Sequence, residues 1–289
     1  MTRRRVTLIV SLAVFARALS ATTSLAATPQ RIVSLVPAVT EMIFAIGDGN
    51  RLVGVSSYDR FPREVRRITK VGGLLDPSVE AILALKPDLV IVYSTQAELR
   101  QRLDRVGISY HVYHDRTLAD ITATMRAIGA RIGSSARAET LAGEIERAIA
   151  TIRTSVVTLR RPRTLLVFGH DPASLRNVNA TGGYGFLHDM LDAAGGANVF
   201  GDIRRESVQT STETILARQP DVIIDLRYGE SVSRADLPRE IQVWNGLGSI
   251  PAVQNHQVFL LVGDEFVVPG PRVVDAVRRL AETLHPKPR

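Results

Sequence analysis

"SVEAILALKPDLVI", Ser78 to Ile91, returns 133 positions later as "STETILARQPDVII", Ser211 to Ile224. Laid over each other without a gap, the two share Ser, Glu, Ile, Leu, Ala, Pro, Asp and Ile at the same places. Each copy reads as a short helix, a Pro-Asp turn and a continuous apolar strand, and a strand of that kind belongs in a sheet covered on both faces. A helix–turn–strand unit that occurs once in each half of a chain points to two similar lobes.

The flanking sequence extends that reading. Ahead of the first copy, "RIVSLVP" (31–37) and "RLVGVSSY" (51–58) read as strands around an amphipathic helix over "AVTEMIFAIGDGN". In "DPSVEAILALKPD", Asp76 is expected to cap the helix, with Pro77 in its first turn. After it, "ISYHVYH" reads as a strand between two helical runs. Strand and helix alternate throughout, the pattern of a parallel α/β domain. From Ser134 to about Leu159 there is no strand signal, and Ala138, Leu141, Ile145, Ile149 and Ile152 recur at helical spacing. One long helix, long enough to run from one domain to another, is expected there. Beyond it the alternation restarts with "RTLLVFG" (163–169), "DVIIDL" (221–226) and "QVFLLVG" (257–263), closed by a helix begun at Pro271. The expected division is a leader at 1–27, an N-terminal lobe at 28–133, a linking helix at 134–160 and a C-terminal lobe at 161–289.

Composition narrows the setting. "MTRRR", an apolar run and the small residues of "ATTSLAA" have the layout of a secretory signal peptide, although Arg17 interrupts the apolar part. Removing that leader takes away Arg3, Arg4, Arg5 and Arg17 and no acid, so the net charge falls from +7 to +3. The basicity is therefore partly an address label, and no aromatic-interleaved basic stretch supports nucleic-acid binding. The chain has no cysteine, which excludes thiolate metal sites, thiol catalysis and disulfide support. A soluble, exported, monomeric protein is expected.

"RIVSLVPAVTEMIFAIG", "LVGVSSYDRFP", "VGGLLDPSVEAILALKPDLVI", "TETILARQPDVII" and "VPGPRVVDAVRRLAETLHP" together resemble the periplasmic solute-binding components of ABC importers for vitamin B12, ferric siderophores and haem. The resemblance covers essentially the whole chain after the leader. It implies two α/β lobes joined by a rigid α-helix, with the ligand held between them. It implies as partners a small-molecule ligand and a membrane permease with its cytosolic ATPase. No intrinsic cofactor is implied, since the metal travels inside the ligand as a cobalt corrinoid or an iron chelate. It also implies that Glu80 and Glu213, one on each lobe, dock against the permease. The plainer reading of these glutamates is a favourable charge in a helix's first turn, with capping-box spacing from Thr210 to Glu213.

In open α/β sheets ligands sit at the carboxyl ends of strands. That places Pro37, Ala38, Tyr58 and Tyr93 in the first lobe as candidates, with Leu74 ahead of the repeated helix. In the second lobe it selects His170, Arg176 and the loop carrying Asp264, Glu265 and Phe266. Tyr58 resembles a tyrosine of the B12-binding members, whereas Phe61 stands about where haem-binding members place a tyrosine ligand. A corrinoid is thus favoured, with haem or a ferric siderophore as alternatives; Leu74, where B12 binders can carry tryptophan, argues the other way. His170 equally suits a turn beside Asp171, Arg176 a salt bridge to Asp171 or Asp192, and Phe266 the core. There is no Gly-x-Ser-x-Gly, GxxxxGK[ST] or His-Glu-x-x-His. A carrier is expected over an enzyme, with a chelatase-like enzyme of related two-lobed fold as the remaining rival.

Overall fold

A computed structural model describes residues 28–114, 117–171, 174–229 and 237–286. The leader expected at 1–27 lies outside the described residues. In the N-terminal lobe, strands β1 (Ile32–Ser34), β2 (Leu52–Val55), β3 (Thr69–Lys70), β4 (Leu89–Tyr93) and β5 (Tyr110–Tyr113) form one sheet in the order β3-β2-β1-β4-β5. All its pairings are parallel. Helices α1 (Pro37–Ile46), α2 (Val79–Ala84), α3 (Ala97–Arg105) and α4 (Leu118–Arg131) connect and cover it. The central strands are buried on both faces because they carry no polar alternation: Leu89, Val90, Ile91 and Val92 are all fully buried.

Helix α5 (Ser135–Val156) then runs 22 residues, about 33 Å at 1.5 Å per residue. Its buried stripe is Ala138, Ala142, Ile145, Ile149, Ile152 and Val156. The stripe packs on α1 and α4 of the first lobe and on helices α6 (Phe186–Ala193) and α10 (Val273–Leu284) of the second. Its start is tied down where Ser134 and Arg137 both donate to the buried carboxylate of Asp48. One apolar core therefore runs unbroken from Ile32 and Leu89, through α5, to Ile224 and Leu280.

The C-terminal lobe is less uniform than expected. Strands β6 (Arg163–Gly169), β7 (Val178–Thr181), β8 (Ala197–Asn198), β9 (Ser207–Thr210), β10 (Val222–Arg227) and β11 (Val258–Val262) form a sheet in the order β11-β10-β6-β7-β9, with β8 also on β6. Its β10-β11 and β6-β10 pairings are parallel, but β7 lies antiparallel between β6 and β9. The α7 (Thr212–Arg218), α8 (Leu237–Gln242) and α9 (Pro251–Gln254) helices complete the lobe. The antiparallel edge was hidden because "VNAT" and "SVQT" are short and largely polar, without the apolar run that marks β6 and β10.

The repeated helices start later than the sequence suggested, the first by two residues and the second by one. Ser78 caps α2, its Oγ accepting from the Ala81 N–H at 3.3 Å, and Ser211 caps α7 likewise from Thr214 at 3.3 Å. Asp76 instead accepts from the Gly73 N–H at 3.1 Å. The turn opened by Gly72 (φ 88°) closes only when the Ser78 N–H reaches the Val71 carbonyl at 2.9 Å. Asp76 is spent inside that loop, and the cap falls to the serine that ends it. Glu213 is consequently the second helical residue, so the capping box with Thr210 does not form.

Candidate functional site

The carboxyl ends of both sheets face a shared cleft. There a cavity of about 500 Å³ is lined by Pro37, Tyr58 and Arg60 from the first lobe and by Tyr228, Gly229, Asp264, Val267 and Val268 from the second. Pro37 follows β1, Tyr58 and Arg60 follow β2, Tyr228 and Gly229 follow β10, and Asp264, Val267 and Val268 follow β11. The volume lies in the range of small-molecule sites. A hollow of about 590 Å³ lies elsewhere, between the end of α5 and the C-terminus, lined by Leu159, Pro162, Asp221 and His285 among others. It adjoins the starts of β6 and β10, where a parallel sheet directs no loops at a ligand.

Of the residues expected to bind, Pro37, Tyr58 and Asp264 meet in the cavity. Tyr58 is 61% exposed, and its ring lies against the backbone of Gly73, where a Cβ would stand 2.5 Å from a ring carbon. That brings Leu74, 38% exposed, to the rim beside it. Gln96 fixes this rim, donating to the Gly73 and Leu74 carbonyls at 3.2 and 3.0 Å while accepting from the Tyr93 N–H at 3.0 Å. Ala38 is buried in the first turn of α1. Tyr93, half-buried, packs edge-on against Tyr113 with ring centroids 5.9 Å apart.

Several candidates are engaged elsewhere. The His170 imidazole is fully buried. Its Nδ1 lies 2.8 Å from the Asp171 carbonyl and its Nε2 2.9 Å from Asp225 Oδ2. The Arg227 Nη2, a donor, also lies against Nε2, so both ring nitrogens are engaged within the lobe and neither is left for a ligand's metal. Burial works against the charged imidazole, yet the bond to Asp225 outweighs it and raises the pKa. Trp244, also fully buried, donates to the same Asp225 oxygen at 3.2 Å and stands edge-on to His170. Arg176 is exposed on the β6–β7 connection; Asp171 pairs instead with Asn177 and Asp192 with Arg161. Phe266 is fully buried, 4.6 Å beneath the Arg279 guanidinium. Glu265 accepts from Arg272 and Arg279.

Arg272 carries the main charged contact between lobes. It donates to both carboxylate oxygens of Glu41 on α1, at 2.9 and 2.6 Å, and its guanidinium stacks 4.3 Å over Phe61. Burial pushes the Glu41 carboxyl up. Burial also works against the charge on Arg272, where the bonds to Glu41 more than restore it. The two ends of one pair are thus pulled opposite ways, and the two-point geometry favours the ionised pair. A second tie joins the lobes where the Leu118 N–H donates to Asp189 at 2.9 Å.

Glu80 and Glu213 are both exposed at the second position of their capped helices. A hydrogen bond from the Ser211 side chain holds the Glu213 carboxyl below the usual range. Sequence reasoning missed Arg60, Tyr228, Gly229, Val267 and Val268. Following the second repeated strand two residues past Leu226 would have reached Tyr228, an exposed aromatic at a strand end.

Two α/β lobes on one helix, with a cleft between the carboxyl ends of their sheets, define a bilobal binding protein. The chain belongs to the periplasmic binding protein family, matched over residues 32–264. It is 31% identical over 257 residues to a vitamin B12-binding protein of Salmonella typhimurium, covering 88% of this chain and 90% of that one. It is 29% identical over 268 residues to an ABC transporter substrate-binding lipoprotein of Bacillus subtilis, covering 89% and 81%. Among solved structures it resembles the periplasmic vitamin B12 binding protein BtuF of Vibrio cholerae, with a TM-score of 0.75 and 26% identity, over 89% of this chain and 97% of that one. It also resembles the periplasmic heme-binding protein RhuT of Roseiflexus sp. RS-1, with a TM-score of 0.74 and 26% identity, over 89% and 99%. The protein is a binder and not an enzyme, and the chelatase-like alternative falls with that. Among the described residues no helix is long and apolar enough to cross a membrane, and no three His, Asp or Glu side chains converge to hold a metal ion.

Proposed function

We propose that this protein is the periplasmic solute receptor of an ABC importer, exported under its N-terminal leader and acting as a soluble monomer. It captures a metal chelate, a corrinoid before haem or a ferric siderophore, in the cleft between its lobes. The observation that carries this reading is the cavity lined from both lobes, with Tyr58 and Tyr228 offering exposed rings on either side. Aromatic side chains supply broad, stiff contact area suited to a large flat ring system. The relatives named for vitamin B12 favour the corrinoid. Phe61, stacked on Arg272, has no oxygen to offer a haem iron.

Delivery falls to Glu80 and Glu213. Each is exposed on a serine-capped helix, at matching places in the two lobes, and would meet basic residues of a permease dimer as a two-point grip. Titrating purified protein with cyanocobalamin, cobinamide, haemin and ferric siderophores tests the carrier reading. At least one should bind with a Kd below about 10 μM, on the order of −7 kcal/mol; binding by none overturns it. Replacing both glutamates by alanine is expected to abolish uptake in cells while leaving ligand affinity intact, and undiminished uptake removes the docking role.

A further inference from the structure

Charge crosses the cleft at two levels. At its floor, Glu41 and Arg272 make their two hydrogen bonds with the carboxylate only 4% exposed. At its mouth, Arg60 Nη1 of the first lobe lies 3.7 Å from Asp264 Oδ1 of the second, the side chains 38% and 25% exposed. That separation is too long for a hydrogen bond. Among the described residues, none of the Arg60 N–H groups makes one. Asp264 does not depend on Arg60 for its position, since its Oδ1 already accepts from the Gly229 N–H at 2.8 Å. Gly229 (φ 87°) leaves the guanidinium room, because a Cβ there would stand 3.1 Å from Arg60 Nη1.

The two pairs differ in what it takes to part them. Opening the floor pair strands a charge away from water, so it stays closed. The mouth pair is half-solvated and unbonded, contributes little by itself, and gives way to any partner that offers two oxygens in the guanidinium plane. A planar fork of unused donors at the edge of an apolar cavity is an oxyanion receptor in waiting.

We propose that Arg60 receives an acidic group of the ligand, and that Asp264 is the counter-ion which holds Arg60 across the mouth of the empty cleft and yields it when that group arrives. This rests on reading the cleft as a chelate site and narrows the ligand to one with a carboxylate or phosphodiester at the edge of a broad apolar face. Tyr58, Tyr228, Val267 and Val268 would meet the face. A porphyrin propionate and the phosphodiester of a complete corrinoid share that chemistry.

Matched probes separate the two sources: haemin against its dimethyl ester, and cyanocobalamin against dicyanocobinamide, which lacks the phosphodiester. Arg60→Gln is expected to weaken the acid-bearing member of the pair that binds by roughly 10- to 100-fold, and its acid-free counterpart much less. Asp264→Asn should tighten the acid-bearing member. Equal penalties on both members overturn the receptor role while leaving the carrier reading in place. Should the wild-type protein bind none of the four, the corrinoid and haem readings fail and a ferric siderophore is left as the cargo, and a probe independent of all three still decides the receptor. Phenyl phosphate titrated to millimolar concentration should shift the Arg60 side-chain N–H signals in NMR spectra, assigned by their loss in Arg60→Gln; no shift overturns the proposal.

Discussion

Asp59, between the two cleft residues Tyr58 and Arg60, is 4% exposed, and neither of its carboxylate oxygens has a hydrogen-bond partner among the described residues. Burial pushes its carboxyl up to about 7, with the nearby Thr40 hydroxyl and Lys70 ammonium pulling it back in part. Between its ordinary value of 3.8 and about 7 the folded protein keeps a proton that the unfolded chain has released, so stability falls as pH rises through that window. Asp59→Asn should match the wild type near pH 4 and exceed it at pH 8 by at most about 4 kcal/mol. Urea denaturation at the two pH values checks this, and an advantage that does not grow with pH refutes it. Glu41 has the opposite character, a buried acid with a strong partner. Arg272→Met alone should cost about 3–5 kcal/mol by leaving that acid unpaired, and adding Glu41→Leu should recover much of the loss. A double-mutant cycle by denaturant melts separates the pair from its desolvation.

Two glycines on neighbouring helices make opposite predictions at the level of elements. Gly143 lies inside α5, and a Cβ there would meet only the Arg147 guanidinium at 3.2 Å, the mobile end of a long side chain. Gly143→Ala should stabilise the protein by about 0.5–1 kcal/mol. Gly129 lies in α4 where it crosses α5, and a Cβ there would come within 2.2 Å of the Ala138 Cβ. Gly129→Ala should destabilise by about 1–3 kcal/mol, since the helices must separate to admit it. Thermal melts of the two variants should move in opposite directions. Elements were also where the sequence was most readable. β4 and β6 announce themselves by apolar runs, β10 by one that only Asp225 interrupts, and α5 by its apolar stripe. The ribbon of β7 and β9 does not, because each strand is four residues long and its apolar face amounts to Val178 and Ala180 in one and Val208 in the other, too few to show a pattern. The cleft was legible only where the chain supplies a local cue. Tyr58 and Asp264 end strands visibly, whereas Arg60 gains meaning only from Asp264 and Gly229 in the other lobe. Glu41 sits on α1 like any polar helical residue, and its partner is 231 positions away.

At the scale of the whole molecule, the duplicated halves are joined by one apolar core that passes through α5, while each lobe also holds a cluster of its own on the far side of its sheet. Two lobes with separate cores would melt independently; these are expected to melt together. The protein carries a gauge for this. Its lone tryptophan, Trp244, is fully buried in the second lobe and hydrogen-bonded to Asp225. Its emission therefore reports one half of the molecule, while far-ultraviolet circular dichroism reports both. Coincident denaturation curves are expected, and a fluorescence midpoint displaced from the dichroism midpoint would show the lobes to be uncoupled. The same placement governs how a bound chelate is detected. Trp244 is not among the cavity's lining residues, so a coloured macrocycle would dim it by dipolar energy transfer across the lobe and a colourless ligand would leave it bright.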